Sequence, residues 1–420
     1  MGVVRYPVQC AGCQAAIMLR LGVGHERRQP FFLVCPRCNA ITRGAQMLTE
    51  DMKTSLELED GALLDSYDDC VVAVSINPEL PSVPGTGSFE DPDGSPFLMH
   101  TRLLGPERAS NYSARIRAMA TFADKPFKDL ARLATYYVHS DWERFEEAGR
   151  RLYGATGGIG QLALRDALIG RAFHDALAPF WTADETKPYG VLRDEWDAIL
   201  GTDRTNFERV VSFARAEAVD AGFLRLLDDL FKLALRYFEM RHALLPGLLL
   251  DWYPPSARAR IPQLRLFRDD FEPLRDLYLQ TFESCHKVVR YVLGVANADA
   301  CTDPDRFPAT WPGALVAGEQ QPPPRPASLG RFDRLPNIAK GQWLAVLPGW
   351  RDVWIYSLDR QLRNDMGHGS IRHELHSGLL VRDDAPPLHY IEFVETAHRI
   401  VHALLGCIHV MITLRRLSRP

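Results

Sequence analysis

Four cysteines near the start of the chain restrict its fold more than any other feature. They stand as Cys10-Ala-Gly-Cys13 and Cys35-Pro-Arg-Cys38, with the apolar runs AAIMLRLGV and FFLV around and between them. Two CxxC knuckles about twenty residues apart match a tetrahedral four-cysteine zinc site, because each knuckle turns sharply enough to aim two thiolates at one ion. Four sulfur ligands leave no open position for a reacting water, so the expected zinc is structural and staples a small β zinc ribbon over residues 1–45. Arg5, Arg20, Arg27, Arg28 and Arg37 lie on that ribbon and would let it touch nucleic acid.

The rest of the chain is too long for one core. At 420 residues, two or three domains are expected, and the 46% hydrophobic and 24% charged fractions suit a globular protein with ample apolar material. The net charge of −4 conceals an asymmetry: residues 1–44 carry six basic and one acidic side chain, whereas residues 50–98 carry twelve acidic and one basic. Residues 331–420 carry twelve basic and nine acidic side chains, so both ends are suited to a polyanion and the acidic stretch is not. MGVVRYPVQC has no apolar signal core, and Tyr6 stands where a myristoylation signal wants Ser or Thr. ALLGCIHVMITL is short for a bilayer span and is interrupted by His409. A cytoplasmic protein without a membrane segment is expected, its thiols reduced.

Residues 46–105 read as short β elements followed by an acidic Pro/Gly-rich linker, NPELPSVPGTGSFEDPDGSP, whose charge is most simply solvation. From about 109 the apolar spacing is helical and stays so. The expectation is a mainly α chain: a helical middle domain over 106–222, then a helical bundle over 223–420 carrying a Pro-rich loop at about 297–335. Long helices are predicted over 267–296 and from HYIEF to LRRL.

Two apparent motifs fail on context. GATGGIG at 154–160 resembles a dinucleotide phosphate turn, but WERFEEAGRRLY before it is an amphipathic helix and not the buried strand such a turn requires. His398 and His402 stand at i, i+4 without an HExxH pattern, which reads as a polar face or a helix-packing contact. His373 and His376 read as ordinary surface histidines, and Cys70, Cys285, Cys301 and Cys407 as scattered buried thiols.

The stretch LRNDMGHGS, residues 362–370, is different. An arginine with a histidine five places on arises about once by chance in this composition, and Arg20…His25 is another instance. Requiring asparagine directly after the arginine lowers that expectation to about 0.02, so Arg363, Asn364 and His368 together are informative. RNA cleavage by in-line transesterification needs a proton acceptor for the 2′-hydroxyl, a donor for the leaving 5′-oxygen and positive charge on the phosphorane. A histidine titrating near neutrality suits the first two roles, a planar guanidinium the third, and asparagine orients either partner. No catalytic metal is required. On an ideal helix the two side chains diverge by about 140°, and Gly367 and Gly369 allow the helix to end or bend at His368.

Arg363-Asn364-x-x-x-His368 resembles the Arg-polar-x-x-x-His signature of HEPN domains, all-α bundles that include metal-independent endoribonucleases of toxin-antitoxin and antiviral defence systems. The resemblance implies a C-terminal HEPN-like bundle with Arg363, Asn364 and His368 as catalytic residues, an RNA substrate, and a homodimer in which two motifs form one composite site. It also implies an antitoxin or defence-system partner. The alternatives are a non-catalytic HEPN-like dimerisation or RNA-binding module, and a zinc-ribbon nucleic-acid-binding regulator.

Overall fold

The computed structural model describes residues 2–49, 51, 53–84, 95–154, 162–181, 186–201, 204–308, 325–383 and 385–419. The chain opens with strands β1 (Val3–Gln9), β2 (Ala16–Gly22), β3 (Arg28–Val34), β4 (Ile41–Leu48), β5 (Thr54–Leu58), β6 (Ala62–Leu63) and β7 (Val72–Ile76). Helices follow: α1 (Pro96–Leu104), α2 (Pro106–Asp124), α3 (Pro126–Val138), α4 (Trp142–Tyr153), α5 (Leu162–Leu177), α6 (Thr186–Gly201), α7 (Arg204–Ala218) and α8 (Ala221–Glu239). Next come α9 (Arg241–Asp251), α10 (Pro255–Arg258), the long α11 (Phe271–Cys301), α12 (Leu329–Phe332), α13 (Asn337–Gln342), α14 (Pro348–Ser357) and α15 (Arg360–Gly367). Three short strands, β8 (Ile371–Glu374), β9 (Leu379–Arg382) and β10 (Leu388–His389), precede the final helix α16 (Tyr390–Ser418). The chain is mainly α, with small sheets.

It divides into two compact units, neither of them a consecutive stretch. One comprises residues 1–117, 240–275 and 365–398; the other comprises 118–239, 276–364 and 399–420. Boundaries fall inside α2, α11, α15 and α16. The four sequential segments expected from the sequence therefore do not coincide with these units. Long helices carry the chain from one unit to the other without a composition change to mark the crossing.

In the first unit, β6-β1-β2-β7 form one sheet and β3-β4-β5 another. Strand β4 runs through residue 45, so the cysteine knuckles and the β elements after them belong to the same sheets. Their shared core comprises Tyr6, Val8, Ile17, Leu19, Leu21, Phe31, Phe32, Leu33, Val74 and Ile76, with Phe267 added from the second segment of the unit. The Phe32 N–H donates to the Phe267 carbonyl at 2.9 Å, extending the β3 edge. Part of the expected linker is buried: Asn77, Glu79, Leu80 and Ser82 are each at most 3% exposed, and Ser82 bridges to Arg265. The acidity of Glu79 is thus not solvation. Residues 85–94 lie outside the described residues.

In the second unit, α8 buries Phe223, Leu226, Leu227, Leu230, Phe231, Ala234, Tyr237 and Phe238, the one-sided spacing of a core-facing helix. The predicted charged helix is α4, capped by Asp141 and ended by Gly154 at φ +78°, a conformation that favours glycine. The first glycine of GATGGIG thus closes a helix; residues 155–160 lie outside the described residues, as do 309–324 of the Pro-rich loop. Helix α16 spans 29 residues, long and apolar enough to cross a bilayer, contrary to what its interrupted apolar run suggested. Its most apolar 18-residue window is 83% buried, which fits a core helix.

Candidate metal centre and candidate active site

Each cysteine knuckle is the turn of a hairpin: Cys10–Cys13 joins β1 to β2, and Cys35–Cys38 joins β3 to β4. The two turns repeat one another. The Cys10 and Cys35 carbonyls accept from the N–H groups of Gln14 (3.0 Å) and Asn39 (2.9 Å), and their own N–H groups donate to Ala15 and Ala40. Gln14 and Asn39 sit at φ +57° and +61°, the left-handed twist that turns each second cysteine back toward the first. Gly12 is required by close approach, since a Cβ there would lie 2.8 Å from that of Ala40.

The four sulfurs lie within 4.8 Å of one another, with Cys10 Sγ to Cys38 Sγ at 3.6 Å and Cys13 Sγ to Cys35 Sγ at 3.8 Å. Tetrahedral zinc with bonds of about 2.3 Å separates its sulfurs by about 3.8 Å, so the donor set fits the ion. The titration of the group agrees. Burial opposes ionisation of Cys10, but the Cys13 and Gly12 N–H groups and neighbouring thiols bring it down to about 7. At Cys38 the Ala40 N–H favours the thiolate, yet the other cysteines push it up to about 12. One negative charge forms readily here and the next ones need a cation.

A second group of potential ligands, Glu26, Glu79 and His242, is already committed within the protein. Glu79 accepts from the His25 and Glu26 N–H groups at 2.6 and 3.2 Å and from His25 Nδ1 at 2.8 Å, and His242 Nδ1 lies 3.2 Å away. Burial disfavours its charge, but His242 and His25 hold the carboxyl well below the usual range. Glu26 pairs with Arg268. The arrangement clasps the β2–β3 turn.

LRNDMGHGS is a well-formed helix end. Asp359 caps α15 by accepting from the Leu362 N–H at 2.9 Å, and Leu362 and Met366, four apart, are both buried. The helix is unbroken through Arg363 and Asn364 and stops at Gly367. Gly369, at φ +69°, turns the chain, with the Gly369 and Ser370 N–H groups donating to the Met366 and Asp365 carbonyls. His368 is exposed, one residue beyond the helix.

Arg363 is held. Its Nε and Nη2 donate to Glu283 Oε1 at 2.9 and 2.5 Å, and its Nη1 to Asn364 Oδ1 at 3.3 Å. Glu283 also accepts from Asn337. One helical turn along α11, His286 donates from Nδ1 to the Phe282 carbonyl (2.8 Å) and accepts from Trp354 Nε1 (3.3 Å), which fixes a neutral ring. Burial, with Lys340 and Arg363 nearby, lowers its pKa to about 4. Lys340 is itself shifted down by burial.

Sequence reasoning did not single out Glu283, His286, Asn337 or Lys340. The i, i+3 pair Glu283 and His286 in FESCHKVV was the available signal, since such a pair shares one helix face. Of the two histidines after the motif, His376 is exposed as expected, whereas the His373 side chain is largely covered. His373 is nearly buried, donates from Nδ1 to Asp269 at 2.9 Å and packs on Tyr390. His376 donates from Nε2 to the Asn39 carbonyl at 2.8 Å, tying the β8–β9 turn to the second cysteine knuckle. His398 and His402 serve packing: both are fully buried, the first 3.2 Å from Asp251 and the second stacked on Trp181. Cys285 and Cys407 are buried, while Cys70 and Cys301 are only partly so.

Compared with protein-family models, curated proteins and solved structures, the chain gives no match.

Proposed function

We propose that the protein is a metal-independent endoribonuclease of HEPN type, cutting RNA by 2′-hydroxyl transesterification. In this reading His368 moves the proton, Arg363 grips and stabilises the scissile phosphate, and Asn364 orients the arginine. Support comes from one observation above all: Arg363 and Asn364 occupy the last turns of a helix that ends one residue before an exposed histidine. A guanidinium oriented by a carboxylate and an amide is suited to a phosphorane. One motif supplies a single histidine, so a homodimer would complete the site from two chains. A cytoplasmic effector in bacterial defence or a toxin-antitoxin pair is the setting this chemistry fits.

The test is to incubate the purified protein with tRNA and total RNA in EDTA. Cleavage that survives chelation and is lost in both Arg363→Ala and His368→Ala supports the assignment; intact RNA with a dimeric wild type points to a non-catalytic module. One observation favours that second reading. Glu283 takes two of the three guanidinium nitrogens of Arg363, which leaves the side chain partly neutralised.

A further inference from the structure

Within the second unit, one face of α7 meets the end of α16 across an open cleft of about 470 Å³. Phe207, Glu208, Ser212 and Arg215 line it from α7, and Arg416 and Arg419 from the C-terminal end of α16. The volume falls in the usual range for small-molecule sites. Arg215 and Arg416 are exposed, and among the described residues no carboxylate is paired with either guanidinium. Arg419 is anchored away from a ligand: its Nη1 donates to Asp166 Oδ1 and Oδ2 at 2.9 and 3.1 Å, and its guanidinium packs over the Tyr137 and Trp142 rings. Phe207 is 40% exposed at the cleft wall.

We infer that this cleft binds a nucleoside phosphate, with the phosphate on Arg215 and Arg416 and the base against Phe207. Guanidiniums recognise phosphate oxygens by paired, charge-assisted hydrogen bonds, and an exposed aromatic ring offers a face to any base. Glu208 and Ser212 supply acceptor and donor groups for ribose hydroxyls. Cations in the last turn complement a helix dipole, which accounts for Arg215 and Arg416 singly. It does not require both to line one cleft beside an exposed phenylalanine. The ligand is a free nucleotide or the 5′-phosphorylated end of an RNA, which share this chemistry. The inference stands apart from cleavage.

It is tested by calorimetric titration of the full chain, carrying Arg363→Ala and His368→Ala so that RNA stays whole. The probes are ATP, GTP, CTP, UTP, a 5′-phosphorylated pentaribonucleotide and its 5′-hydroxyl twin. At least one phosphorylated probe binds, and Arg215→Glu with Arg416→Glu weakens it by about tenfold or more. Phe207→Ala weakens it by about fivefold or more, while Lys232→Glu, away from the cleft, leaves it unchanged. A nucleotide preferred over the pentamer names a small-molecule site, and the reverse names an RNA end. Thermal melting of each variant checks the fold, with Arg215→Gln replacing a charge reversal that unfolds. The inference is overturned if no phosphorylated probe binds, if charge reversal in folded protein changes nothing, or if the 5′-hydroxyl twin binds as tightly as the best phosphorylated probe.

Discussion

Glu283 grips Arg363 through two nitrogens of one guanidinium, and under the ribonuclease proposal it is a positioning residue. Glu283→Gln should lower kcat for RNA cleavage by about ten- to hundredfold while KM changes little, and Glu283→Asp should recover part of the loss. Steady-state kinetics on a defined RNA separates the two constants. Two other side chains make stability depend on pH. His286, enclosed by Phe282 and Trp354, and His100, which accepts from Tyr253 and donates to the Pro81 carbonyl, are both lowered by burial from 6.5 to about 4. Each binds a proton less readily in the fold than in the unfolded chain. Stability is therefore full above about pH 6.5 and falls as pH drops toward 4, by roughly 2 to 3 kcal/mol per histidine. Melting temperatures measured across that window should decline, and more shallowly in His286→Gln.

At the scale of elements, the paired hairpins hold a donor set that fits a metal ion. With four thiols within 4.8 Å, the purified protein should carry about one zinc per chain. Cys10→Ser with Cys35→Ser should abolish it and expose the β unit to proteolysis; elemental analysis and limited digestion read the two effects. The knuckles were legible in the sequence because ligand chemistry fixes their spacing. The helices of the second unit were legible because apolar residues such as Phe223, Leu227, Leu230 and Phe231 recur every three or four positions. The strands β8 and β9 were not. Each has only four residues, and Ile371 and His373 alternate with Arg372 and Glu374 for too short a run to stand out beside helical neighbours. The ion pair to Arg363 was hidden for another reason: Glu283 lies eighty residues away, and nothing in a single sequence reports a contact at that distance.

For the whole molecule, the proposal that two chains build one site has a direct consequence. Mixing Arg363→Ala protein with His368→Ala protein and allowing subunits to exchange should restore measurable cleavage that neither parent shows. Activity assays after mixing, with light scattering to establish the dimer, decide it. Recovery would not occur if each chain cut RNA alone.

The division of the chain also bears on how the protein comes into being. Each unit is assembled from three separate stretches, and the last stretch of one is 399–420. During synthesis, one unit lacks a part until residues 365–398 have been made, and the other waits for 399–420, which include the final turns of α16. The cysteine hairpins lie within residues 3–48, ahead of every helix among the described residues. If those thiols take up a metal ion as their geometry allows, a nascent chain would hold it before any of the helices that follow has been made.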